Sequence, residues 1–274
     1  IGPLTRTVKD TALLLEVIAG HDWRDSTSAE KSSYLPDLDR GIDGMKIGIP
    51  KEYFGEGVDA KVEKSVWDAI SVLEGLGASW QEVSLPHTQY ALAAYYVIAM
   101  SEASSNLARF DGLRYGLRQA GEDRDWHTTF SEIRSKGFGP EVKRRILLGT
   151  YALSAGYYGR YYLKALKVRT LIKEDFLAAF KQVDLLASPT MPIPAFRIGE
   201  RINDPLSLYK ADIFTVPINL AGVPAISLPC GFAGQLPIGL QLIGPHFGEA
   251  AVLQAAQAFE AATPYHERTP EEVV

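Results

Sequence analysis

"ADIFTVPINLAGVPAISLPCG", residues 211–231, is the stretch that says most about the fold of this chain. It is mostly apolar, is interrupted by three prolines and two glycines, and contains the only cysteine, Cys230. Because proline fixes φ and removes a backbone donor, the stretch cannot continue as one long helix or one central strand. We therefore interpret it as the lining of a site, and we expect regular strands and helices on both sides of it.

The sequence on both sides of this stretch predicts strands and a helix. PAISLPCG (224–231) and PIGLQLIG (237–244) are predicted as two strands. VDLLASPTMPIPA (183–195) is predicted as a buried strand that runs into a proline-rich loop. EAAVLQAAQAFEAA (249–262) has the apolar spacing of a closing amphipathic helix.

The first third of the chain predicts a β-α-β unit. TRTVKDTALLLEVIAG (5–20) is predicted as a helix with Thr7 as its N-cap. GMKIGIP (44–50) and SWQEVSLP (79–86) are predicted as strands on either side of a helix at 59–78. One face of that helix carries Val62, Val66, Ala69, Ile70 and Leu73. A crossover of this kind joins parallel strands with a right-handed turn.

Residues 88–180 differ from the rest of the chain. They form long helical patterns rich in Tyr, Arg and Lys, interrupted by GFGPE (137–141). The sequence therefore predicts an α/β fold, with one domain over residues 1–274 and a helical layer over approximately 88–180.

Composition excludes several classes of protein. The chain has 274 residues, of which 46% are hydrophobic and 22% charged, which is ordinary for a soluble domain. No apolar run approaches the ~20 residues of a membrane span, and no signal-peptide pattern is present. One cysteine cannot form an internal disulfide. We expect a cytoplasmic protein, and its net charge of −5 argues against tight binding of nucleic acid by the chain as a whole.

The residues that commonly carry chemistry form no familiar catalytic or metal-binding motif. The five histidines are scattered, so we predict no metal site, and no phosphate-binding glycine loop is present. Cys230 has no His or Lys nearby in sequence, which favours a packing role over a nucleophilic one. Ser188 and Ser227 lie in apolar strand patterns rather than in a tight glycine turn. The sequence thus predicts a lined site without a nucleophile.

Residues 134–173 carry ten Lys or Arg against one acid, Glu141, with five tyrosines among them. This pattern is compatible with a nucleic-acid surface. A solvated helix face that forms salt bridges with the acidic remainder is favoured, because clustering in sequence is not clustering on a surface.

Three stretches carry a resemblance to a known family. They are YYVIAMSEASSNLARFDGLRYG (95–116), GFGPEVKRRILLGTYALSAGYY (137–158) and VPINLAGVPAISLPCG (216–231). With IGPLTRTVKD (1–10) and PIGLQLIG (237–244), they resemble the amidase signature family and, within it, the A-subunit family of the glutamyl-tRNA(Gln) amidotransferases. The resemblance covers essentially the whole chain. The first two stretches are specific to those subunits, and the others are shared more broadly among amidases.

The resemblance implies a mixed sheet flanked by helices, truncated at its N-terminus. The family's Ser–cis-Ser–Lys triad lies in and before a Gly/Ser-rich segment upstream of IGPLTRTVKD (1–10), and nothing in this sequence matches it. We therefore read the chain as a fragment or processed product that begins at Ile1, and we expect it to contain no catalytic residue and to be inactive alone. Removal of upstream strands should leave an unpaired sheet edge and an exposed apolar face, and hence self-association or a missing partner.

The same resemblance implies residues that recognise glutamine. Arg145 would pair with the substrate carboxylate, Asp212 would take the α-ammonium, and Tyr95 would pack near the amide. A forked guanidinium suits a carboxylate. Asp212 precedes the apolar run IFTVPINLAG (213–222), where a lone carboxylate is costly without a partner.

The resemblance also implies the partners. The intact subunit would be a glutaminase that passes ammonia to a partner, which converts Glu-tRNA(Gln) to Gln-tRNA(Gln) with ATP and Mg²⁺. This chain would hold no cofactor, and it would assemble with B and C subunits. Two alternatives stay open: a fragment of a general small-amide amidase, and a non-enzymatic domain that binds RNA or protein.

Overall fold

The computed structural model of the protein describes residues 2–30, 33–118, 125–200 and 204–270. The chain divides into two compact units. The first, unit 1, consists of Ile1–Leu92 and Leu171–Val274, and the second, unit 2, is Ala93–Thr170.

Unit 1 contains the sheet. Its strands within the described residues are β1 (Lys46–Pro50), β2 (Ser79–Val83), β3 (Leu185–Pro189), β4 (Ala225–Ala233) and β5 (Leu236–Ile243). Their order across the sheet is β2-β1-β3-β5-β4. β1 is parallel to β2 and β3, whereas β5 is antiparallel to β3 and β4. The predicted α/β class with a mixed sheet flanked by helices is confirmed.

The helices of the described residues include two short ones, Pro205–Lys210 and Val216–Ala221, that the sequence did not predict. In chain order the helices are α1 (Val8–Ile18), α2 (Ala60–Gly75), α3 (Ala91–Asn106), α4 (Trp126–Gly137), α5 (Pro140–Leu153), α6 (Tyr162–Ala179), α7 (Pro205–Lys210), α8 (Val216–Ala221) and α9 (Glu249–Ala262). Short 3₁₀ turns lie at Lys51–Tyr53, Pro86–Tyr90, Leu107–Arg109 and Tyr265–Glu267. The predicted N-cap of α1 is confirmed, since the Thr7 hydroxyl accepts the Asp10 N–H at 3.1 Å.

The core of unit 1 lies between the sheet and helices α2 and α9. The predicted face of α2 is confirmed, because the buried residues of that helix are Val62, Val66, Ala69, Ile70 and Leu73. Phe259 of α9 and Leu240 of β5 are fully buried in the same cluster. Each such side chain contributes about 1.5–3 kcal/mol relative to an exposed one.

The stretch 211–231 passes from a turn into the short helix α8 and then into strand β4. Pro217 lies in the first turn of α8, where its missing N–H leaves no bond unmade. Gly222 ends α8 with φ of 73°, in the left-handed region that a side chain disfavours. The chain then enters β4, and the pairing of β4 with β5 shifts register between Pro229 and Gly231. Proline is tolerated there because β4 is an edge strand among the described residues.

Unit 1 also exposes apolar surface. β4 has no strand on its far side within the described part of the sheet. Helix α1 exposes Leu13, Leu14, Val17 and Ile18. Since β2 and β4 are both edges of the described sheet, the edge expected from missing upstream strands stays a prediction.

None of the helices formed by the described residues is both long enough and apolar enough to cross a membrane.

Candidate functional site

Arg145 lies on α5, where its guanidinium is held by an acid one turn earlier. Its Nε donates to Glu141 Oε1 at 3.0 Å, and Arg144 Nη1 lies 2.9 Å from Glu141 Oε2. The Arg145 side chain is 34% exposed, against 48% for Arg144. Glu141 therefore fixes Arg145 in a more sheltered position than its neighbour. Glu141 is also well placed in the first turn of α5, where an acid suits the helix dipole.

Arg145 packs against an aromatic ring of α3. Its guanidinium carbon lies 6.0 Å from the centre of the Tyr96 ring. Tyr95 meets Tyr96 edge to face, with ring centres 5.2 Å apart. The structure thus brings the predicted residues Tyr95 and Arg145 into one neighbourhood through Tyr96. Tyr96 was missed at the sequence level, and its only signal there is its place beside Tyr95.

A close helix crossing in unit 2 sets this contact. A β-carbon added at Gly149 of α5 would collide with the carbonyl of Met100 in α3 and lie 2.8 Å from the Ser104 β-carbon. Gly149 follows Arg145 by one helical turn, and Met100 follows Tyr96 by one turn. The Arg145–Tyr96 contact therefore lies one helical turn before the Gly149–Met100 contact along the same pair of packed helices.

Asp212 lies in unit 1, in the turn between α7 and α8. Its side chain is half-buried. Its backbone carbonyl accepts the N–H groups of Thr215 and Val216, both at 3.1 Å, and the Thr215 hydroxyl at 3.1 Å. The turn is thus closed by its own backbone, which fixes the direction in which the Asp212 side chain leaves it.

The turn that carries Asp212 is anchored to the sheet. Gln241 of β5 donates through Nε2 to the Phe214 carbonyl at 3.3 Å and to Ser188 Oγ at 3.2 Å. Phe214 also stacks on Tyr53 with ring centres 4.9 Å apart. Gln241 and Ser188 are buried. Both bonds are donated by Nε2, so loss of this amide would take the donor from a buried backbone carbonyl, which is costly.

The serines and the cysteine of the strands differ in exposure, since Ser188 and Cys230 are buried and Ser227 is exposed. Ser227 Oγ lies 2.7 Å from Thr190 Oγ1. Cys230 is 1% exposed, and burial raises the pKa of its thiol to about 12. A thiol with that pKa is protonated near neutrality and therefore is not a nucleophile. The packing role inferred for Cys230 agrees with this environment.

Part of the opening stretch lines a cavity in unit 1. Residues 224–229 form one wall of a cavity of about 420 Å³, and its other lining residues come from 2–8, α1 and α9. Tyr95, Arg145 and Asp212 are not among its described lining residues. Within residues 2–30, 33–118, 125–200 and 204–270, no three His, Cys, Asp or Glu side chains are grouped to hold a metal ion.

The sequence is similar to that of amidases and, among them, to A subunits of glutamyl-tRNA(Gln) amidotransferase. The family model described as "Amidase" matches residues 1–253. The A subunit of glutamyl-tRNA(Gln) amidotransferase from Methanosarcina mazei is 63% identical over 274 residues, which are 100% of this chain and 57% of that protein. The corresponding protein from Halalkalibacterium halodurans, which has the same name, is 59% identical over 272 residues, 98% of this chain and 56% of that protein. The chain thus spans little more than half the length of these curated relatives.

Solved structures show the same likeness. The crystal structure of the glutamyl-tRNA(Gln) amidotransferase A subunit from Thermotoga maritima is similar with a TM-score of 0.76 and 42% identity. The similarity covers 96% of this chain and 53% of that one. A bacterial aryl acylamidase of the amidase signature family is similar with a TM-score of 0.75 and 26% identity. That match covers 97% of this chain and 53% of the acylamidase.

Proposed function

Because the chain belongs to the amidase family, we propose that it provides the glutamine-recognition part of the glutaminase subunit of a glutamyl-tRNA(Gln) amidotransferase. The support is its identity of about 60% with A subunits of such amidotransferases over its full length. The chain does not provide the serine nucleophile, for which we find no matching segment in its sequence.

The proposed reaction of the intact subunit is the hydrolysis of glutamine to glutamate and ammonia through an acyl-enzyme on serine. A cytoplasmic heterotrimer with B and C subunits would use the ammonia to convert Glu-tRNA(Gln) to Gln-tRNA(Gln). ATP and Mg²⁺ would act in the partner subunit, and tRNA would be held mainly there. This division of labour is compatible with the lack of a phosphate-binding glycine loop and with the net charge of −5 of this chain.

The observation that carries the proposal is the setting of Arg145. A surface arginine on a basic helix is normally mobile, whereas Arg145 is held at Nε by Glu141 and packed near the Tyr96 ring. A guanidinium can form two parallel hydrogen bonds with a planar carboxylate, which is the group that glutamine would bring to Arg145. We assign the glutamine carboxylate to Arg145, the α-ammonium to Asp212 and the surroundings of the amide to Tyr95.

A general small-amide amidase remains the second candidate function. The likeness to an aryl acylamidase favours it, since that fold match is nearly as close as the match to the Thermotoga maritima structure. An enzyme of that kind has no need for a carboxylate anchor. The dependence of binding on the ligand's carboxylate therefore separates the two candidates.

The test is calorimetric binding of L-glutamine to the chain and to two variants. Arg145→Gln should weaken binding by about 10-fold or more, as expected for loss of a hydrogen bond between charged groups worth about 1.5–3 kcal/mol. Arg144→Gln is the matched control, because Arg144 contacts the same Glu141 and is more exposed. Equal losses in both variants, or equal binding of an amide that lacks the carboxylate, would contradict the proposal.

Ammonia release tests the second half of the proposal. The chain alone, at high concentration, should release no more ammonia from glutamine than a heat-killed control. Activity above that control would show that a nucleophile is present in these 274 residues.

A further inference from the structure

Unit 2 contains an open groove between α4 and α5. Its volume is about 500 Å³, and its described lining residues all come from 127–147. Phe130, Phe138, Ile146 and Leu147 give it an apolar floor and rim. The Leu147 side chain is 71% exposed. Covering this side chain and the apolar residues beside it would be favourable by up to about 1.5–3 kcal/mol for each residue that becomes fully buried.

Two cations lie in the same groove at fixed positions. Arg134 Nη1 donates to the Leu107 carbonyl at 3.0 Å, and its guanidinium lies 5.0 Å from the Phe138 ring centre. Lys143 Nζ donates to the Ser135 carbonyl at 2.6 Å. Carbonyl oxygens hold both side chains in place, but among the described residues no carboxylate neutralises either charge. The groove therefore presents two ordered positive charges beside an apolar floor.

Unit 2, which contains the groove, is richer in basic residues than in acidic ones. Ala93–Thr170 contains 13 Lys or Arg and 7 Asp or Glu, whereas the rest of the chain contains 15 and 26. Opposite charge speeds encounter and fixes the orientation of a bound partner. An acidic partner is therefore attracted to this unit, even though the whole chain is acidic.

We propose that the α4–α5 groove binds an acidic amphipathic helix of a partner protein. Helix α4 has 12 residues and is about 18 Å long, which matches about three turns of a docked helix. Such a helix would place apolar side chains at i, i+3, i+4 and i+7 on Phe130, Ile146 and Leu147, with its carboxylates toward Arg134 and Lys143. This proposal does not depend on glutamine recognition.

The same features disfavour a single-stranded nucleic acid. Base stacking needs open aromatic faces, and the Phe138 ring is already contacted by Arg134. Ile146 and Leu147 provide aliphatic surface, which suits side chains of a protein rather than bases or phosphates.

The experiment uses fluorescent 14-residue peptides and the whole chain. One set carries Leu at i, i+3, i+4 and i+7 and Glu elsewhere; a second set has the same composition in scrambled order. Fluorescence anisotropy should detect binding of the first set only, and binding should weaken as salt increases. No binding, or equal binding of scrambled peptides, would overturn the proposal.

Paired variants locate the contact. Leu147→Ser and Lys143→Glu should each weaken binding about 5-fold or more. Leu148→Ser and Lys136→Glu are the controls, because both residues are exposed neighbours that do not line the groove. If the control variants lose as much peptide binding as the groove variants, the assignment of the contact to this groove is wrong. Tighter binding of a single-stranded RNA, or self-association of the chain that Leu147→Ser abolishes, would replace the helix by another occupant.

Discussion

Gly149 of α5 lies directly against the backbone carbonyl of Met100 in α3, with no room for a side chain between them. Glycine is usually unfavourable inside a helix by about 0.5–1 kcal/mol. Its presence here is explained by the close approach of the two helices. The same pair of helices carries Arg145 and Tyr96 one turn earlier, so the crossing also determines where the guanidinium lies.

Gly149→Ala should destabilise the chain. The gain in helix propensity is smaller than the cost of forcing two backbones apart, so we expect a net loss of about 1–3 kcal/mol in the free energy of unfolding. Urea unfolding followed by circular dichroism measures it. Gly159→Ala is the control, because a β-carbon there meets no atom within 4 Å. Equal stability of both variants would show that the crossing is looser than described.

Asp175 of α6 holds the 3₁₀ turn at Pro86–Tyr90, and both belong to unit 1. Its Oδ2 accepts the His87 N–H at 2.8 Å, and its Oδ1 lies 2.9 Å from His87 Nδ1. The Asp175 side chain is only 9% exposed. Asp175→Ala leaves the His87 N–H without its acceptor, and we expect a loss of about 1–3 kcal/mol in unfolding free energy.

The control for Asp175 is the same substitution in another helix. Asp68 of α2 pairs with Lys64 at 2.6 Å, but both side chains are largely exposed. Asp68→Ala should change the unfolding free energy by less than about 1 kcal/mol. A larger effect at Asp68 than at Asp175 would contradict the argument from burial.

Helices α1 and α2 and the strands of the sheet were predictable from sequence because their signals are local. The buried face of α2 follows from apolar spacing of three and four residues, and Thr7 identifies the start of α1. The strands around Cys230 were predicted because apolar runs are bounded by Pro and Gly.

The geometry of the candidate site was not predictable in the same way. The Arg145–Tyr96 contact joins positions almost 50 residues apart in sequence and depends on how α5 crosses α3. The role of Glu141 in holding two arginines is visible only once side-chain directions are known. The limits of Ala93–Thr170 fall inside α3 and α6, where no change of composition marks them.

Cys230 should make the chain lose stability at high pH. Burial raises its pKa from 9.0 to about 12. Between these values the unfolded chain releases a proton that the folded chain keeps, so the free energy of unfolding falls as pH rises above 9. Below pH 9 this contribution is fully present. Urea unfolding should be measured at pH 8 and at pH 10. Between these two pH values the free energy of unfolding should fall less for Cys230→Ala than for the parent chain.

Thiol labelling checks the same environment. With 5,5′-dithiobis(2-nitrobenzoic acid) at pH 8, Cys230 should react slowly in the folded chain and rapidly in urea. Since it is the only cysteine, the signal is unambiguous. Rapid labelling of the folded chain would mean that the thiol is accessible, and the predicted pH dependence would then be lost.

Gln241 should control the order of the turn that carries Asp212. Gln241→Leu keeps most of the side-chain volume but removes the donor to the Phe214 carbonyl and to Ser188 Oγ. Both acceptors stay buried, so we expect a loss of about 1–3 kcal/mol in unfolding free energy. Gln89→Leu is the matched control, since the Gln89 amide is exposed, and should change stability by about 0.5 kcal/mol or less.

A local readout separates loosening of this turn from general destabilisation. The amides of Thr215 and Val216 donate to the Asp212 carbonyl, so their hydrogen exchange reports whether the turn opens. Relative to the parent chain, Gln241→Leu should accelerate the exchange of these two amides more than that of the α2 amides. The reason is that the turn loses its bond to β5 while α2 keeps its packing. Glutamine binding should weaken in parallel if Asp212 receives the α-ammonium. Uniform acceleration of all amides would instead mean that Gln241 supports the sheet and has no particular effect on Asp212.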